Sequence, residues 1–441
     1  SKTDYTDNSG TYTKADEIDN YFHTTNRTVY YSPKYQSFSG LTNTTACTPG
    51  NPVETQTMAW FYPSIKSERI LLDSTKNILY QQGDSTKAVI TTTANFYDNP
   101  AHYQVTRTRS IDSKGNTLVT QIKYPQDYLP TGNTYTGNTV IDTMLGRNMV
   151  AETIEKQDSL YYSGSPTGYV NGSQLSLYRI LTSNSNTVVP DKIYKFDVQS
   201  PVTNFQPFSF SNNTLSMDSR YRQMISFDQY DPYNNIQQYT PTDQDPVTII
   251  WDYTNTYPIA QVKNATLADV AATSFEADGK GGWAFSGAPS TAGGAITGSQ
   301  SYSLSSGSIT KSGLTSTTKY IVSGWTKGTV TLTGGTQSNP ITGKTINGWT
   351  YFEVTVTGAT SITISGASGV YINELRLYPT TAQMTTYTYS PLIGMTTSCD
   401  AENRVTYYFY DGLGRLKWVK DQDGNILKTY QYHYQNLSTL Y

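Results

Sequence analysis

One five-residue pattern limits what this chain can become. It reads DQDGN at residues 421–425, DSKGN at 112–116 and, with Asn in place of Gly, DPYNN at 231–235. The fourth position is Gly or Asn, the residues that enter left-handed backbone most readily, whereas most others lose about 1–2 kcal/mol there. The leading Asp is a side chain that hydrogen-bonds its own turn. Each copy therefore predicts a tight reversal between antiparallel strands. Around the last copy, the runs RVTYYFY (404–410), RLKWVK (415–420) and ILKTYQYHY (426–434) predict a three-stranded meander. Period-two alternation would place Ile426, Lys428, Tyr430, Tyr432 and Tyr434 on one face. We assign Asp411, Gly414 and Arg415 to the first corner and Asp421, Gly424 and Asn425 to the second, all as structural turn residues. Recurrent hairpin units of this kind stack into one continuous sheet.

Composition agrees with an all-β chain. Of 441 residues 15% are charged and 38 are tyrosine. Aromatic and β-branched side chains suit half-buried pleated surfaces, and tyrosine can keep one end wet. A net charge of −3 gives no basic footprint for nucleic acid, and no apolar run is long enough for a membrane-spanning helix. The opening residues, SKTDYTDNSGTYTKADEIDN, lack the basic and apolar regions of a secretory leader. We expect a mature product or a piece of a longer protein. Cys47 and Cys399 can form one long-range disulfide or stay free, since their geometry is not legible in the sequence.

Residues 265–379 differ from their surroundings. No acidic residue lies between Asp278 and Glu353, and Gly, Ser and Thr dominate. Short alternating runs such as KYIVSGWTKG, WTYFEVTVTG and VYINELRLYP, about eight in all, predict a jelly-roll β-sandwich. The expected organisation is a β-rich region (1–264), the inserted sandwich (265–379) and C-terminal hairpins (380–441) packing with the first region.

The stretch YFYDGLGRLKWVKDQDGNILKTYQY resembles the YD repeat of the RHS family, matching at Tyr408, Tyr410, Asp411, Gly414, Arg415 and Leu416. YDPYNNIQQYTPTDQDPVTIIWDYTNTYPIAQVKNA resembles the segment that such proteins, particularly those of Bacteroidetes, carry ahead of an inserted module. The resemblance implies an antiparallel RHS-type sheet in a secreted or outer-surface structural or adhesive protein. The family's alternative role, as a toxin-delivery shell of which this chain would be a fragment, stays open. A third reading is a surface subunit that self-associates through open sheet edges. Four Asp-Ser/Thr tripeptides, beginning at Asp73, Asp84, Asp142 and Asp158, resemble the O-glycosylation sequon of secreted Bacteroidetes proteins and point to the same address.

TSFEADGKGGW and VYINELRLYP resemble the two ends of jelly-roll carbohydrate-binding modules. That resemblance implies a structural calcium at Glu276, Asp278 and Glu374. It also implies glycan binding through aromatic platforms, for which Trp283, Trp325, Trp349, Tyr302 and Tyr351 are the candidates. The implied partners are cell-surface glycans or outer-membrane and surface proteins. Nothing points to catalysis. His23, His102 and His433 lie in unrelated segments, and there is no nucleophile elbow, zinc-protease helix or P-loop. We expect a protein that is not an enzyme.

Overall fold

The computed structural model describes residues 2–8, 11–31, 64–81, 84–130, 136–182, 186–211 and 213–432. Cys47, His433 and Tyr434 lie outside the described residues. The described chain is almost entirely antiparallel β, as the composition requires, and it divides into two compact units.

The first unit comprises residues 1–175 and 196–220. Its strands follow one another as a meander from Lys2–Asn8 through Thr11–Tyr31, Ser64–Gln81 and Asp84–Phe96 to Glu155–Tyr161, each antiparallel to the next. Thr11–Tyr31 spans 21 residues and Ser64–Gln81 spans 18, far beyond the usual ~5–6. One short helix, Thr139–Gly146, interrupts the β pattern. Asn138 caps it by accepting the Val140 and Ile141 N–H groups at 3.1 Å each, and Ile141 and Met144 are its buried residues.

The second unit comprises residues 176–195 and 221–441. Here Arg222–Tyr230, Ile236–Pro241, Val247–Asp252 and Tyr257–Lys263 form an antiparallel run. The chain then leaves the sheet for the module and returns. Gln383–Ser390 pairs directly with Tyr257–Lys263, Ala260 opposite Thr386. The sheet continues through Gly394–Cys399, Val405–Tyr410, Leu416–Asp421 and Ile426–Thr429. The last strand stops at Thr429, and all four of its residues are exposed. The expected tyrosine face extends beyond this strand, and its last member, Tyr434, lies outside the described residues. The Tyr430 N–H donates to the Lys417 carbonyl, one step further along the same pairing, and the Tyr432 hydroxyl donates to that of Leu416, both at 2.8 Å.

The inserted module consists of a seven-stranded and a three-stranded antiparallel sheet. Tyr320–Lys327 lies between Trp349–Thr357 and Tyr371–Pro379 in the larger sheet. Ser361–Gly366 lies between Ile309–Ser312 and Val330–Thr333 in the smaller. Both sheets feed one apolar core. Val322, Val354 and Leu377 come from the first and Ile309, Ile362 and Ile364 from the second, all essentially buried.

Candidate functional site

The corner residues behave as their chemistry demands. In each case the leading Asp side chain accepts two backbone N–H groups through Oδ1 and one side-chain donor through Oδ2. At Asp421 the donors are the N–H groups of Asp423 and Asn425 and the Asn425 amide, all at 2.9 Å. Asp112 and Asp231 repeat the set with Asn116 and Asn235. Asp411 uses Arg415, whose Nε donates at 2.8 Å. The fourth residue is left-handed throughout, with φ of 77° at Gly115, 73° at Asn234, 74° at Gly414 and 86° at Gly424. Hydrogen bonds from the Arg415 side chain and backbone hold the Asp411 carboxyl well down, to about 2. A further corner, DAENR at residues 400–404, escaped the sequence reading. Asp400 accepts from Glu402, Arg404 and the Arg404 guanidinium, and Asn403 has φ 61°. Its signal was present, with Asn at the Gly position and Arg at the Asn position, each substitution already seen singly elsewhere.

This last corner clamps the module to the sheet. Arg376, on the module's closing strand, is fully buried. Its guanidinium donates to the carbonyls of Asp400 and Cys399 at 2.9 Å, to Asn403 Oδ1 at 3.0 Å, to Thr386 Oγ1 at 2.7 Å and to Glu374 Oε1 at 3.1 Å. Glu374 itself has φ 50° at a register shift in the strand pairing. Such a bulge re-aims a side chain, here inward toward Arg376. An apolar seam of Ile259, Val262, Val270, Tyr378 and Met384 accompanies the pair.

Beside this junction lies a cleft of about 890 Å³, walled on one side by the sheet and on the other by module residues 276–278 and 298–299. Its floor is aromatic. Tyr257 and Tyr389 stack at 4.8 Å and 18°, and Tyr253 meets both edge-on at 5.9 and 5.7 Å. Tyr407, Tyr408 and Phe409 continue the lining. Several tyrosine hydroxyls are already engaged: Tyr389 donates to the Pro258 carbonyl at 3.1 Å and Tyr407 to that of Ile296 at 2.8 Å. Tyr253 Oη accepts the Tyr389 N–H at 2.9 Å. Burial pushes the phenols of Tyr253, Tyr389 and Tyr407 up to about 12, so they stay protonated.

The rim of the cleft is strained. Tyr253, Thr254 and Asn255 are consecutively left-handed, with φ of 53°, 55° and 58°, a conformation that costs most for a β-branched residue such as Thr254. Two carboxylates hold the turn. Asp252 Oδ1 accepts the N–H groups of Tyr253 at 2.8 Å and Gly279 at 2.7 Å, and Asp278 Oδ1 accepts that of Thr254 at 2.8 Å. Burial, joined by the neighbouring Asp278 carboxyl, pushes Asp252 up to about 6. Asp252 does not line the cleft; Glu276 and Asp278 do.

The three carboxylates assigned to calcium do not share a centre. Glu276 accepts from Ser299 N at 2.6 Å, Ser299 Oγ at 3.1 Å and Gln300 N, Asp278 from Thr254, and Glu374 from Arg376, Thr386 and Thr297. Among the described residues no group of three or more His, Cys, Asp and Glu side chains is arranged to hold a metal ion. The proposed sugar platforms are packed inward. Trp283, Trp325, Trp349 and Tyr302 are at most 4% exposed. Tyr351 is half-buried, with its hydroxyl donating to Glu353 at 2.8 Å. These rings offer no broad open face to a ligand: Trp283 and Tyr302 lie in the core between the two sheets, and Trp325 and Trp349 form a smaller cluster against which Tyr351 packs. Cys399 is buried with a free thiol that burial pushes up to about 12, which leaves it a poor nucleophile. His102 is buried, its ring bonded to Asp127 at 3.2 Å and to the Gln104 N–H at 2.9 Å, and His23 pairs with Asp73.

No protein-family model matches the chain, and no curated protein matches it. Among solved structures it is similar to a TcdB2-TccC3-TEV crystal structure, with a TM-score of 0.35 and 7% identity over 81% of this chain and 14% of that one. A Tc holotoxin pore from Photorhabdus luminescens, bearing a TccC3 mutation, is similar at a TM-score of 0.15 and 9% identity, over 83% of this chain and 17% of the other. The chain thus spans less than a fifth of the length of either structure.

Proposed function

We propose that this chain is a non-enzymatic structural protein of the RHS/YD-repeat type, secreted or held at an outer cell surface, whose sheet carries a jelly-roll module as a fixed attachment. The observation that supports this most directly is the Arg376 clamp. A module tethered for independent work needs only a flexible linker, whereas this one inserts a fully buried cation into the backbone of a repeat corner. The engagement of His23, His102 and Cys399 in internal contacts or burial favours a role without turnover.

Cross-linking on native cells followed by mass spectrometry tests the reading. Exposed Lys417 and Lys428, on the last hairpin, should cross-link to further YD-type sheet, whether later in a longer chain or in a neighbouring copy. The first outcome favours a segment of a larger shell and the second a self-associating surface subunit; the exposed last strand makes both geometrically open. Cross-links confined to residues 265–379, or hydrolytic turnover by the purified chain, would sink the proposal.

A further inference from the structure

The tyrosine cleft has a chemistry that the structural role does not use. Six aromatic rings line it, the carboxylates of Glu276 and Asp278 stand at its edge, and no Lys, Arg or His is among its lining residues. Ring faces attract cations through their quadrupole, most effectively where water is partly excluded. Carboxylates lining the same cleft add direct Coulomb attraction. We propose that this cleft binds an organic ammonium group.

Three features separate this occupant from its rivals. A neutral sugar needs a dense set of free hydrogen-bonding groups around an aromatic platform. Here the hydroxyls of Tyr389 and Tyr407 donate to backbone carbonyls and that of Tyr253 accepts a backbone N–H, which thins the set a sugar would use, whereas Glu276 and Asp278 keep their negative charge in accepting N–H groups. A hard metal ion wants six or more oxygens converging on one point, and the carboxylates here are spread along a rim. An anion would meet two acids and no base. The left-handed run at Tyr253, Thr254 and Asn255 adds a fourth consideration, because backbone strain of this kind persists where surrounding structure over-determines it and collects at ligand sites. Burial raises the Glu276 carboxyl above its ordinary value, a cost that a bound cation would offset.

The ammonium can come from a free small molecule or from a lysine side chain on a partner protein. Both present the same charge on an apolar stem. The inference goes beyond the scaffold reading and does not depend on it.

Calorimetric titration of the full chain with choline, with Nα-acetyl-lysine amide and with 3,3-dimethylbutan-1-ol, the uncharged analogue of choline, tests the proposal. Saturable binding of choline or of the lysine amide, with the uncharged alcohol roughly tenfold weaker, is expected. Preference for choline assigns a small-molecule source and preference for the lysine amide a peptide source. Asp278→Asn keeps the oxygen that accepts the Thr254 N–H, so the turn survives while the charge is lost, and binding should weaken several-fold. Tyr408→Leu, which removes one of the lining rings, should weaken it independently. Equal binding of the alcohol, no saturable cation binding, competition by neutral sugars alone, or indifference of both variants would each overturn the proposal.

Discussion

The module and the corner-built sheet beside it hold their shapes by opposite means. In the module, Tyr302, Tyr320, Phe275, Ile362 and Ile364 are all fully buried, and the two sheets close on them. In the hairpins that follow, Leu413 is 74% exposed, Ile426 58% and Leu427 55%, and the described core is reduced to a few residues such as Met384, Val405 and Val419. Two glycines illustrate the split. A Cβ at Gly281 would overlap the Ala272 carbonyl oxygen, whereas one at Gly424 would meet nothing within 4 Å. Gly281 permits close packing; Gly424 permits only a backbone angle. One part is a jigsaw whose pieces fit each other. The other is a series of local reversals, each completed by its own Asp, with lateral strand pairing joining them. A scaffold can be lengthened by repeating the second kind of unit, because no unit needs a particular distant partner. The first kind cannot be lengthened so.

Arg376 is where the two systems meet, and removing it should have the largest effect. Arg376→Ala leaves Glu374 buried without its cation and four acceptors without a donor, a loss of about 3–5 kcal/mol in urea unfolding. Replacing both partners, Arg376→Met with Glu374→Gln, should recover much of that loss. A cost below about 1 kcal/mol for Arg376→Ala would mean that module and sheet are energetically independent, and the contrast would then describe two neighbours rather than one joined structure.

The core itself comes next. Ile364→Ala deletes buried methyl groups from the shared interior of the two module sheets and should cost about 3 kcal/mol. Leu413→Ala, at an exposed corner, should stay within about 0.5 kcal/mol of zero. Similar costs at the two positions would abolish the distinction between them.

Asp252 gives a pH test at the boundary. Its carboxyl is raised from 3.8 to about 6 in the fold, so the native state favours the protonated form. The sign follows: this contribution is fully present below about pH 4 and is lost as pH rises through about 6. Both backbone N–H groups that Asp252 accepts are received by Oδ1. Asp252→Asn therefore keeps them and puts an amide beside Asp278. Thermal melts should show the variant more stable than the parent at pH 7, equal or lower at pH 4, and flatter between. A variant that is less stable at pH 7 would show that the charged form is the one the junction uses.

Legibility in the sequence followed the same division. The corners were readable because everything they need lies within five residues: an Asp, a Gly or Asn, and an Asn or Arg. Asp400 was missed only because two tolerated substitutions coincide there. The module's strands were readable from alternation, but the direction of its tryptophans was not, since a Trp at a strand position reads the same whether its face is a core or a platform. The contacts of the carboxylates were hidden for a related reason. Glu374 looked like a strand-end acid, and only the bulge at its own backbone turns it toward Arg376. The cleft was beyond reach altogether. Tyr253 and Tyr389 touch across 136 positions, and no local pattern announces that the chain leaves the sheet for the module and returns to the adjacent strand.

The smallest effect isolates the corner from everything else. At Gly424 an added side chain has open space, so substitution changes only the cost of holding φ at 86°. Gly424→Ala should lose about 1 kcal/mol, the ordinary penalty of left-handed backbone for a residue with a Cβ. Gly424→Asn carries the same Cβ, yet Asn already fills this place in the Asp231 and Asp400 corners at φ 73° and 61°, and its loss should be a few tenths of a kcal/mol. The separation between the two variants, measured by unfolding on the same chain, is the quantity that matters. If Ala and Asn proved equivalent, the corner would be held by its neighbours and not by its own five residues, and the sheet would be as dependent on distant packing as the module is.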